Sequence, residues 1–170
     1  MPISLLHRLR PDSIDEFDAA ADERFRDAVR LAEADRRTAA IYLFGYAVEM
    51  LLKAGFLRLV GYADVDPVTT AALRQYIGVD NNSIARSLGM AGTKNLHDLT
   101  SWAELVVAYR SAHGPKYSDV AFADALRTHV KTIHRFWSES LRYHRNIAYN
   151  YEVEQVRSAS QWVIDNRAGI

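Results

Sequence analysis

The residues best equipped for chemistry in this chain are a glutamate and a lysine inside its most apolar stretch. Glu49 and Lys53 stand four positions apart in Gly45-Tyr46-Ala47-Val48-Glu49-Met50-Leu51-Leu52-Lys53-Ala54. On a helix they share one face, flanked by Tyr42, Tyr46 and Phe56. A carboxylate among apolar neighbours is costly unless it is paired or reaches water. Two readings follow. In one, the pair is a solvated i,i+4 contact at the helix edge, worth about 0.3–0.5 kcal/mol. In the other, Glu49 meets an arginine from another helix and lines a polar pocket.

The arginine candidates lie in Arg135, Glu139, Arg142, Arg145, Asn146 and Tyr149, which would occupy about one third of a helix circumference if one helix ran through them all. Guanidinium forks match phosphate oxygens, so such a face can hold a phosphate-bearing ligand; it can equally be an ordinary solvated face. The expected ligand-binding set is Glu49, Lys53, Arg142, Tyr143, Arg145 and Asn146. Arg127 and His134, seven residues apart on one helical face, are candidates for a nuclease centre, as are His144 and Arg145. His97 reads as a helix-start residue bonding locally. His129, His134 and His144 have no acidic or histidine neighbours at ligand spacing, and the chain has no cysteine, so no metal site is expected. No cofactor is expected either: Gly89-Met90-Ala91-Gly92 lacks the lysine-serine ending of a phosphate loop.

These residues need helices to position them. Ser13 and Glu16 form a capping-box start, and Phe17, Ala21, Phe25, Ala28, Val29 and Ala32 recur at helical spacing, predicting a helix over 13–34. The second helix, 37–59, is apolar around nearly its whole circumference and is stopped by Gly61; a helix of that kind is enclosed by neighbours. Residues 61–95 read as an enlarged connection with short helices near 70–77 and 83–88. A third main helix follows Asn95-Leu96-His97-Asp98 and stops before Gly114-Pro115. A fourth is predicted over 118–143, and a fifth over 152–165. No segment alternates as a strand. The expected fold class is all-α, a single domain over 1–170, built as an antiparallel up-and-down bundle of four to five main helices. Trp102, Trp137 and Trp162 fall on apolar faces as core or interface residues.

Bulk properties bound the rest. The 170 residues are 49% apolar and 25% charged, a globular balance. Twenty-one basic and twenty-one acidic residues cancel, so a polyanion site must be a local patch. The first ten residues carry a short apolar patch at Ile3, Leu5 and Leu6 without a signal-peptide pattern. The stretch 39–60 is interrupted by Glu49, Lys53 and Arg58, which argues against a membrane span. A cytoplasmic, membrane-free protein is the expectation.

Three motifs resemble the HEPN (higher eukaryotes and prokaryotes nucleotide-binding) domains. Ala47-x-Glu49-x-x-Leu52-Lys53-Ala54 looks like their Ala-x-Glu-x-x-Leu-Lys-Ala signature; Leu96-His97-Asp98-Leu99 is similar to the His-x-Leu that opens their next helix; Leu141-Arg142-Tyr143 resembles the Arg-Tyr that ends the following one. The resemblance implies a homodimer, and either a metal-independent ribonuclease toxin, paired with a nucleotidyltransferase-type partner, or a non-catalytic module binding nucleotide, RNA or a partner protein. Active members carry Arg and, after four to six intervening residues, His. Here Arg145-Asn146-Ile147-Ala148-Tyr149-Asn150 begins that motif and ends it on Asn150, which exchanges no proton near neutral pH. The non-catalytic module is therefore the favoured expectation, with the endoribonuclease and a purely structural adaptor as alternatives.

Overall fold

The computed structural model of the chain describes residue 9, residues 11–113 and residues 119–170. The apolar patch at Ile3, Leu5 and Leu6, the Gly114-Pro115 stop and the helix start at 118 lie outside the described residues. Among those described there are seven α-helices, two short 3-10 turns and no strand. They are α1 (Ile14–Glu33), α2 (Arg37–Leu59), α3 (Thr70–Ile77), α4 (Ile84–Ser87), α5 (Leu99–Ala112), α6 (Val120–Phe136) and α7 (Asn150–Asp165), with 3-10 turns at Glu139–Tyr143 and Arg167–Gly169. The all-helical class is thus observed, and the two small helices fall where the 61–95 connection predicts them.

Local chemistry sets the helix ends. The Ser13 hydroxyl accepts the Glu16 amide at 3.2 Å, and Asp15 and Glu16 place negative charge in the first turn of α1. Asp98 caps α5 by accepting the Ser101 amide, and Asp119 caps α6 by accepting that of Phe122. Gly61, at φ +88°, lets the chain leave α2 with the Tyr62 amide donating back to the Leu57 carbonyl at 3.0 Å.

Helix α2 is the hub. It packs against α1, α5, α6 and α7, and its buried residues lie on every side. By length and composition it could cross a membrane, but 83% of its most apolar window is covered by the rest of the fold, so that apolarity serves packing. Phe56 gathers Tyr76, Trp102 and Tyr109 around it, at ring-centre distances of 5.4, 6.0 and 5.6 Å. A fully buried side chain of this kind stabilises by about 1.5–3 kcal/mol.

The helix directions depart from a strict up-and-down order. α1 runs against α2, as the Arg58–Asp18 ion pair requires. α5 and α6 are antiparallel, joined by Arg127–Glu104 and by Arg110 over Phe122; α6 and α7 are antiparallel, joined by Phe122–Trp162 and Phe136–Tyr151. But α5 runs the same way as α2: Glu49 meets His97, Lys53 meets Trp102, and Phe56 meets Tyr109. The physical reason is the length of the 60–98 segment, which carries the chain back along α2 before α5 begins.

The predicted fourth helix ends early. α6 stops at Phe136, Trp137 is extended (φ −113°, ψ 139°), and a 3-10 turn follows. The Trp137 indole N–H donates to the Tyr42 carbonyl at 2.9 Å, and its ring lies on Gly45, where any β-carbon would overlap it. This burial pulls the chain out of helical geometry. The single polar stripe expected over Arg135, Glu139, Arg142, Arg145, Asn146 and Tyr149 does not form, because no helix runs through them.

Candidate functional site

The buried carboxylate is real, and its partners differ from the expected ones. Glu49 is only 2% exposed. Lys53, one turn on, is ion-paired to its Oε1 and buried with it. The pair is therefore not a solvated edge contact. The second partner does not come from the Arg142–Arg145 segment: it is His97, whose Nδ1 lies 2.9 Å from Glu49 Oε1 and 3.0 Å from Oε2. Lys53 Nζ also sits 5.8 Å from the centre of the Trp102 ring, a cation–π contact that helps compensate its burial.

His97 is delivered by the turn that opens α5. Its own amide donates to Asn95 Oδ1 at 2.9 Å, the Trp102 indole donates to the Leu96 carbonyl at 3.0 Å, and Asp98 caps the helix immediately after. The ring is thus fixed from behind. The hydrogen bond to Glu49 raises the His97 pKa against the opposing effect of burial, and the Glu49 charge raises it further. With Nδ1 held by the carboxylate, Nε2 is the free nitrogen on a side chain that is 39% exposed. Protonated, it donates to an anionic or carbonyl oxygen; neutral, it accepts a proton.

A cleft of about 600 Å³ opens over this trio. Its apolar walls come from Phe17 and Ala20 of α1, Tyr46 and Met50 of α2, Leu73 of α3 and Leu96; Asp12, Glu16, Arg24 and Thr70 add polar groups. Tyr46 stacks on Tyr42 at 5.7 Å, and burial, then the Glu49 charge, raise its phenol pKa. Apolar walls around a few convergent polar groups are the usual build of a small-molecule site.

The remaining candidates scatter. Arg142 is exposed, lies 4.7 Å from the centre of the Tyr143 ring and reaches Tyr42, one turn along α2 from Tyr46. Tyr143 and Arg145 are exposed. Asn146 holds the fold together: its Oδ1 accepts the Thr38 amide at 3.1 Å and its Nδ2 donates to the Asp35 carbonyl at 2.7 Å. Thr38 Oγ1 in turn accepts the amides of Ile147 and Ala148 at 2.9 and 3.0 Å, so the 146–148 strap is pinned to the start of α2. Both polar groups of Asn146 are committed to backbone. Arg127 is bound to Glu104 at 3.0 Å and to Asp124 at 3.4 Å, while His134, farther along α6, is exposed. His144 is exposed.

Sequence reasoning missed His97 as the partner of Glu49. The available signal was the demand itself: a carboxylate on an enclosed helix needs a second donor, and the segment leading into α5 offers an imidazole. No group of three His, Asp or Glu residues among the described residues is arranged to hold a metal ion. No protein-family model matches the chain, and no curated protein or solved structure matches it.

Proposed function

We propose that this chain is a non-catalytic binding module, HEPN-like in its bundle of main helices, that takes a small nucleotide-like ligand in the cleft over Glu49, Lys53 and His97. The observation that carries this reading is the imidazole held through Nδ1 by a buried carboxylate at 2.9–3.0 Å, with its other nitrogen free beside a 600 Å³ cleft. A pre-oriented group of this kind recognises a ligand without first losing rotamer entropy. Tyr46 and the aliphatic walls suit a planar heterocycle, Asp12 can accept from its exocyclic donors, and protonated His97 suits a phosphate or carbonyl oxygen. Arg127, the arginine expected to grip a scissile phosphate, is already occupied by Glu104 and Asp124, which favours binding over cleavage.

The test is an isothermal titration of the purified protein with adenine and guanine nucleotides, run beside His97→Ala. Binding weakened about tenfold or more in the variant is expected, a loss of about 1.4 kcal/mol or more. Equal binding by the variant, or no heat with any nucleotide, defeats the proposal. Cleavage of RNA by the wild type, abolished by His134→Ala, would defeat its non-catalytic half.

A further inference from the structure

The tautomer of His97 follows from its partner. Glu49 is ion-paired to Lys53, and a carboxylate held in this way has oxygens that accept and no hydrogen to donate. Both oxygens lie within hydrogen-bond reach of His97 Nδ1, at 2.9 and 3.0 Å, so Nδ1 keeps its proton whatever the charge on the ring. Nε2 is therefore the nitrogen that gains or loses a proton. The ring lines the cleft of about 600 Å³, and among the described residues its side-chain hydrogen bonds all go to Glu49 through Nδ1.

The surroundings leave that ring short of negative charge when it is protonated. One carboxylate of α2, Glu49, then faces two cations, Lys53 and the imidazolium. The Glu49 bond favours the charged ring most, and burial opposes it; the Glu49 charge adds to the first effect, the Lys53 charge to the second, and the charge of Glu139, from the 3-10 turn, favours it more weakly. Asp98, the next residue, is committed through both oxygens to Thr100 and Ser101. Around α1 the cleft carries Asp12, Glu16 and Arg24, and Tyr46 stands on its α2 wall. Arg24 is itself paired to Asp27 at 3.2 Å. With two cations on one carboxylate, the trio lacks a negative charge, and Nε2 marks where an incoming group can supply it.

Building on the binding role proposed above, we infer that the ligand seats an oxyanion, the phosphate of a nucleoside monophosphate, on His97 Nε2, and that its binding draws a proton from solvent onto that nitrogen. The oxyanion accepts from the new Nε2–H, and its charge completes the pairing that Glu49 alone leaves unfinished. An uncharged nucleoside brings no such charge and takes up no proton. Affinity for the phosphate form falls as pH rises past the imidazole range, by up to about tenfold per pH unit. Occupancy of the cleft then follows the pH of its surroundings.

The experiment is isothermal titration of the intact protein with adenosine and guanosine monophosphates and with the two nucleosides, from about pH 6 to about pH 8.5, in buffers of different ionisation heat. Net proton uptake with the monophosphates is expected, with the nucleosides binding about tenfold more weakly or worse. The phosphate itself titrates near the acid end of this range, so His97→Gln, checked for folding by circular dichroism, separates the two sources: uptake at the alkaline end should vanish in the variant. In the wild type, the His97 ring resonances should titrate at higher pH with saturating monophosphate than without it. If neither nucleotide nor nucleoside binds at any pH, the binding role falls and the proton coupling with it. Monophosphate binding that ignores pH, nucleosides that bind equally well, uptake unchanged in folded His97→Gln, or ring resonances unmoved by the monophosphate would overturn the proton coupling alone and leave the binding role standing.

Discussion

At the scale of single residues, Glu49 decides most. It is enclosed, ion-paired to Lys53 and bonded to His97 through both oxygens. Removing its charge strands a buried ammonium, and breaking a buried pair from one side costs about 3–5 kcal/mol. Glu49→Gln is therefore expected to lose stability of that order in urea unfolding, and Glu49→Gln with Lys53→Met to regain most of it. A loss below about 1 kcal/mol would mark the pair as one that water already solvates. His97 supplies the pH dependence. Its folded pKa lies above the ordinary 6.5, so the protonated ring favours the fold. That contribution is present in full below the ordinary imidazole range and is lost as pH rises through the raised folded value. The stability gap between wild type and His97→Gln should therefore narrow on going from acid to mildly alkaline pH. In Glu49→Gln the His97 ring resonances should titrate at lower pH by NMR. An unshifted titration would remove the pairing.

At the scale of elements, the breaks matter as much as the helices. Trp137 ends α6 by burying its ring on Gly45, so Gly45→Ala is expected to cost about 1–3 kcal/mol through overpacking and to alter the indole fluorescence. The 146–148 strap depends on one hydroxyl that takes two amides. Thr38→Val should cost about 1–3 kcal/mol and speed hydrogen exchange at the Ile147 and Ala148 amides; unchanged exchange would mean the strap has other anchors. These two features also show what a sequence can and cannot reveal. Helices α1, α2 and α5 were legible because their signals are local: Ser13 with Glu16, the apolar circumference of 37–59, Gly61, and the capping Asp98. The end of α6 was not, because no glycine or proline marks it; it is set by a contact with residues more than ninety positions earlier. The candidate site was half legible for the same reason. Glu49 and Lys53 meet within one helix turn, whereas the His97 contact spans 48 positions and no local pattern encodes it.

At the scale of the whole molecule, α2 touches α1, α5, α6 and α7, so none of them can detach without uncovering it. Equilibrium unfolding is expected to be a single transition, coincident by circular dichroism and tryptophan fluorescence. Two separated transitions would mean that α2 belongs to only part of the core. The same hub has a consequence for biosynthesis. As the ribosome extends the chain, α2 emerges before α5, α6 and α7, and α7, which covers another of its flanks, is made about ninety residues later. Throughout that interval the nascent polypeptide presents a long greasy rod, of the kind chaperones hold and neighbouring chains stick to. Translation speed across residues 60–150 should therefore govern how much protein is recovered in native form.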